Sequence, residues 1–135
     1  MRYILFRGKD TSGAWQYGSL LQNLDNCYIV EKFNNTIFDS SGQIYINENS
    51  LWLIDDPRTF GQYTGMLDKN GNKIFEGDIV IGEEVDGKMA VMWDNFHVAF
   101  GLADYGNYQW EVIFPCTQFE IIGNIHDNPE LLEAT

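Results

Sequence analysis

Residues 67–102 read LDKNGNKIFEGDIVIGEEVDGKMAVMWDNFHVAFGL, and this stretch decides the fold. Three turn signals divide it. Asn70-Gly71 is a strong two-residue hairpin signal, because a type I′ turn needs positive φ at both central positions. It would pair Asp68 with Lys73, an opposite-charge cross-strand pair, and Leu67 with Ile74. Asp86-Gly87 is a second such turn, and counting outward pairs Ile81 with Met92 and Val80 with Trp93. Asp94-Asn95 is a third. After it Phe96, Val98, Phe100 and Leu102 alternate with His97, Ala99 and Gly101, the period of a half-buried strand. Ahead of the second turn, Gly77 gives turn freedom and the Asp78 carboxylate can accept from nearby backbone amides. Ile79 and Val80 then start a strand.

The same grammar runs outward in both directions. Downstream, Tyr105-Gly106-Asn107 turns the chain into Gln109–Phe114, and Gln118–Ile125 forms a last strand with Phe119, Ile121 and Ile125 on one face. Asn128 then suits an N-cap, Pro129 a first helical position and Glu130 the positive start of a short terminal helical turn. Upstream, Arg2–Phe6 reads as a strand with Ile4 and Phe6 to one side. In Trp15–Leu21, Trp15, Tyr17, Ser19 and Leu21 alternate with Gln16, Gly18 and Leu20. Cys27–Phe33, Thr36–Phe38, Gln43–Asn47 and Leu51–Ile54 are further short strands, separated by turn formers. No long stretch has helical periodicity. Strand signals every eight to twelve residues predict an all-β protein with one short C-terminal helical turn, its later strands a meander closing into a small barrel. Asp55-Asp56-Pro57-Arg58 breaks the pattern, since a residue before proline is biased away from helix. The break divides the chain into an N-terminal β region, 1–57, and a barrel region, 58–135.

Composition limits the function. The chain has 135 residues, 44% hydrophobic and 15% aromatic, enough to fill a core and too apolar for disorder along most of its length. The longest apolar runs are about five residues, against roughly 20 for a membrane-spanning helix. The N-terminus has no basic-then-apolar signal pattern, so the expected location is the cytoplasm, with no membrane association. Net charge is −12. Residues 1–64 carry 7 acids and 5 bases, residues 65–135 carry 13 acids and 3 bases. So few cations cannot neutralise many phosphates, and direct nucleic-acid binding is disfavoured. Acidity serves solubility first; it also suits a basic partner, or mimicry of a polyanion. Cys27 and Cys116 are the two cysteines, expected reduced and buried, with no C-x-x-C spacing for a paired-thiol site.

Three blocks resemble the YopX family of phage and prophage proteins. The first is Ile4-Leu5-Phe6-Arg7-Gly8 followed by Trp15-Gln16-Tyr17-Gly18-Ser19-Leu20. The second is the run from Phe60 to Gly71, then Ile74-Phe75-Glu76-Gly77-Asp78-Ile79-Val80. The third is the run from Ile121 to Leu132. They follow the family's order and span nearly the whole chain. The resemblance implies a β-rich fold with an SH3-like small barrel, in a phage-type protein, and carries over no catalytic motif. His126 and Asp127 stand where the family often has an aromatic and Glu, so the resemblance gives His126 no ligand role.

Chemistry-bearing sets are sparse. Asp94 with His97, and His126 with Asp127, offer metal-ligand types without a recognised spacing. Cys116, His126 and Asp127 could compose a nucleophile set only by convergence in space, and Cys116 after Pro115 suits a small buried position. Adjacent carboxylates at Asp55-Asp56 and Glu83-Glu84 point to opposite sides of a strand. No catalytic, cofactor-binding or metal-ligating residue is assigned, and no cofactor is expected. The aromatics stand out instead: Tyr105, Tyr108 and Trp110 cluster in a loop-like stretch, and Glu83, Glu84 and Asp86 sit at a hairpin tip. Large aromatics are favoured at interfaces, and loops on a rigid scaffold commonly carry binding. These six residues form the candidate binding surface of a non-catalytic interaction module. Its expected partner is a host or phage protein, with self-association a further expectation. A small-ligand binder with aromatic pockets, and an acidic nucleic-acid mimic inhibiting a host enzyme, are the alternatives.

Overall fold

The computed structural model describes residues 3–31, 36–38, 41, 44–46, 51–82, 87–95, 98–103, 110–112 and 118–133. They are almost entirely antiparallel strand, as the turn spacing and period-two alternation predict. Two units divide the chain, with the change between Gln62 and Tyr63, inside one strand.

In the first unit β1 (Phe6–Lys9) and β2 (Trp15–Gln22) form a hairpin, continued by β3 (Cys27–Val30) and β6 (Leu51–Ile54). β4 (Thr36–Phe38) and β5 (Ile44–Ile46) pair only with each other among the described residues. The first strand begins four residues later than the sequence suggests, and Ile4 is exposed. Trp15 and Tyr17 lie opposite Lys9 and Arg7, so the alternation read in β2 sets an aromatic row beside a cationic one. The Arg7 guanidinium lies over the Trp15 ring at 4.6 Å, where the ring's quadrupole attracts it. Ile29, Val30 and Ile54 are buried. Gly18 is needed for close approach: a Cβ there would run into the Val30 carbonyl oxygen. After β6, Asp56 caps a 3-10 turn, Pro57–Thr59, its carboxylate accepting from the Arg58 amide and guanidinium. The Thr59 hydroxyl accepts from the Lys9 amide, tying this turn to β1.

In the second unit β7 (Gly61–Leu67), from Tyr63 onward, pairs with β8 (Lys73–Phe75). β9 (Asp78–Gly82), β10 (Met89–Asp94), β11 (Ala99–Ala103) and β12 (Trp110–Val112) make the meander, and β13 (Phe119–Asn124) pairs with the free side of β9. The order is β12-β11-β10-β9-β13, so among the described residues the end strands β12 and β13 are not bonded to each other. The core is Ile74, Val80, Met89, Val91, Leu102 and Phe119, with Met66 and Ile121 against it. Each fully buried aliphatic or aromatic side chain contributes about 1.5–3 kcal/mol relative to exposure.

Both registers read from the sequence differ from those observed, and the strand after the third turn starts later than read. Leu67 pairs with Lys73, not Ile74, because the β7–β8 turn is built on Asp68. Its carboxylate accepts from the amides of Asn70 and Asn72 at 2.9 and 2.8 Å, the Gly71 amide donates to the Asp68 carbonyl, and only Gly71 takes positive φ. An Asp opening a type I turn followed by a left-handed Gly outcompetes the type I′ turn. Val80 pairs with Met89, not Trp93. The slip changes the paired sum by an even number, so each side chain keeps its face and the core survives it. Asp94 pairs with Ala99, which removes Val98 from the strand: it is 71% exposed with φ 52. Ile122 is the extra residue of a bulge in β13, so Phe119 and Ile121 reach the core while Ile125 lies past the strand end. Asp78 performs its expected task, its carboxylate accepting from the Phe75 amide at 2.7 Å. The terminal helical turn is 3-10, Pro129–Leu132, but the Asn128 side chain accepts from the Asn124 amide instead of capping it.

Candidate functional site

The sheet of the second unit has two ends, and strand direction decides what emerges from each. Ala90, near the start of β10, lies opposite Ala103, the last residue of β11. Ala103 also lies opposite Trp110, the first residue of β12. Gly82, the last residue of β9, lies opposite Phe119, the first of β13. The chain therefore leaves β9 for residues 83–86 and leaves β11 for residues 104–109 at one and the same end. Trp110 stands at that end by its strand position. Tyr105, Tyr108, Glu83, Glu84 and Asp86 lie outside the described residues, as do His97 and Cys116.

The β7–β8 turn meets the same end. The Lys69 amide donates to the Phe119 carbonyl at 2.7 Å and the Ile121 amide donates to the Asp68 carboxylate at 3.3 Å. The Lys69 ammonium pairs with the Glu120 carboxylate at 3.2 Å, a half-exposed contact worth little on its own. Asp68 is buried, which works against its charge; the amides of Asn72, Ile121 and Asn70 outweigh that and leave its pKa below the ordinary carboxylate value. Its role is to anchor a turn, and with its lone pairs taken by amides it is a poor base or metal ligand.

The first unit repeats this device, which sequence reading passed over. Asp10 opens a turn ending at Ala14 as Asp68 opens one ending at Asn72. The Asp10 carboxylate accepts from the Ser12 hydroxyl at 2.6 Å, the Gln16 side chain at 2.9 Å and the amides of Ser12 and Ala14. These bonds, the Ser12 hydroxyl first, lower its pKa to about 2. Gly13 takes positive φ as Gly71 does. The pattern Asp-x-polar-Gly-x, at residues 10–14 and 68–72, was the available signal.

Of the other chemistry-bearing sets, Asp94 with His97 and Cys116 with His126 and Asp127 each include a residue outside the described ones. Asp56 is spent on Arg58, and the His126 amide donates to the Asn124 side chain at 3.0 Å. Among the described residues no three His, Cys, Asp or Glu side chains gather as a metal would need. Cys27 is a free thiol, half-buried where a buried one was expected, because it stands at the start of β3 near the sheet margin. No helix among the described residues is long and apolar enough to cross a membrane.

The sequence model of the family described as "YopX protein" matches residues 5–133. The chain belongs to the YopX family. The opening strand pair, the Gly65–Val80 segment and the Ile121–Leu132 tail all lie inside that YopX match. Among solved structures the chain is similar to protein EF1440 from Enterococcus faecalis, at 26% identity and a TM-score of 0.62, over 98% of this chain and 100% of that one. None of the curated proteins compared matches it.

Proposed function

We propose that this YopX-family chain is a phage-type accessory protein that acts by binding and not by catalysis. Its partner is a basic host or phage protein, engaged in the bacterial cytoplasm at the end of the β9–β13 sheet. Trp110 and the aromatics Tyr105 and Tyr108 supply contact area, and Glu83, Glu84 and Asp86 supply attraction and orientation. The observation that supports this reading is the pairing of Ala90 with Ala103, which sets the finish of β11 beside the start of β10. A surface with an aromatic centre and a charged rim is the usual anatomy of a specific interface. The scarcity of cations in residues 65–135, three against thirteen acids, supports a basic partner over an acidic one.

The test is affinity purification with the tagged chain, followed by binding of the recovered protein to variants. Trp110→Ala is expected to weaken binding about tenfold or more, as interface aromatics do. Glu83→Lys with Glu84→Lys is expected to slow association and flatten its salt dependence. Equal binding by all variants removes this surface from the account.

A further inference from the structure

The opposite end of the same sheet carries an aromatic pair, one ring exposed and the other half-buried. Trp93 and Phe100 are cross-strand partners on β10 and β11. Their rings meet edge to face, centroids 5.1 Å apart and planes at 78°. Trp93 is 40% exposed although Val91, two residues back on the same face, is fully buried. Val98, just ahead of β11, adds a further exposed apolar side chain. Aromatic pairs of this geometry are normally spent on core packing; here the pair stands at the rim of the core with an indole surface open to solvent.

Its electrostatic setting is one-sided. From Met89 to Thr135 the chain has no Lys or Arg and seven Asp or Glu. The strands β10 to β13 thus present this indole with no cation of their own to occupy it. An indole face in a negative field attracts guanidinium and ammonium groups, by cation–π attraction plus long-range steering.

We propose that Trp93, backed by Phe100, is a docking site for a Lys- or Arg-bearing segment of a partner protein. This rests on the reading of the chain as a binder of basic proteins and adds a second contact to it. The site lies three residues, about 10 Å, along β11 from the Trp110 end, within reach of a short extended segment.

The test uses the full, isotope-labelled chain titrated with an oligo-arginine peptide as probe and an oligo-glutamate peptide as control, read by amide and indole NMR shifts. The expected result is salt-reversible movement of the Trp93 indole and the Phe100 amide with oligo-arginine alone. Trp93→Ala should weaken that binding about three- to thirtyfold and Trp93→Phe should restore part of it. Should Trp93→Ala lose shift dispersion, Trp93→Phe and the wild-type shifts still decide. Movement confined to residues 83–86 and 104–110 overturns this proposal and leaves the first surface standing. Shifts spread over all acidic residues, with Trp93→Ala binding as tightly as wild type, overturn it too. No shift anywhere overturns both.

Discussion

Ala90 stands directly opposite Ala103 in the β10–β11 ladder, so the start of β10 and the finish of β11 lie at one end of the sheet. Residues 83–86 precede β10 by a short connection and residues 104–109 follow β11 at once. In an antiparallel pair the start of one strand is the finish of the other, which is why the proposed site draws on both segments.

The paired Asp turns make acid stability predictable. Asp10 falls from 3.8 to about 2 on folding, chiefly through the Ser12 hydroxyl. A depressed carboxylate pKa favours the folded state above the unfolded value and loses that advantage as pH falls through the folded one. The contribution of Asp10 is therefore whole above about pH 4 and gone below about pH 2. Urea unfolding midpoints of wild type and Asp10→Asn should differ at pH 6 and converge across that window. A constant difference would mean that the charge of Asp10 does not act.

Asp68→Ala leaves the amides of Asn70 and Asn72 to water and frees the β7–β8 turn from Ile121. The expected loss is about 1 kcal/mol, since the turn is exposed around its buried carboxylate. Hydrogen exchange should show faster opening at Asn70, Asn72 and Ile121 before the rest of the sheet.

Gly18 has the tighter constraint. A side-chain methyl would meet the Val30 carbonyl oxygen and carbon, both backbone atoms that cannot rotate away. Gly18→Ala should cost about 2–3 kcal/mol by denaturant titration, whereas an exposed strand glycine would gain from the change.

Val98 runs the other way. A β-branched residue at φ 52 is strained, and at 71% exposure it recovers little by burial. Val98→Asn, whose side chain tolerates the left-handed region, should raise stability by about 1 kcal/mol. A loss of that size would show that the Val98 side chain makes contacts worth more than the strain.

Much of this architecture was legible from residue order. The strand at Trp15–Leu21 and the short turns at Pro57 and Pro129 appear where the pattern puts them, whereas the strand read from Phe96 to Leu102 begins only at Ala99. What misled were dipeptides read alone. Asn70-Gly71 signals a two-residue turn until Asp68 is weighed, since a carboxylate that binds two amides recruits a longer one. Asp94-Asn95 failed for a related reason: pairing resumes only at Ala99, and Val98, apolar by pattern, is left at the turn. Period-two alternation fixes faces and not registers, so the slip at Val80 and Met89 was invisible to it. That β9 and β11 finish at the same end was open to inference from meander order, since no register error moves a strand end to the other side. The exposure of Trp93 was not, because a strand pattern cannot say where the core stops.

The most direct test of the central claim is a double-mutant cycle on the purified partner, combining Glu84→Lys with Trp110→Ala. Residues on one binding surface should both weaken binding, with Glu84→Lys acting chiefly on association at low salt and Trp110→Ala chiefly on dissociation at any salt. Full partner affinity in the double variant, with the fold intact, would contradict a shared site at this end of the sheet.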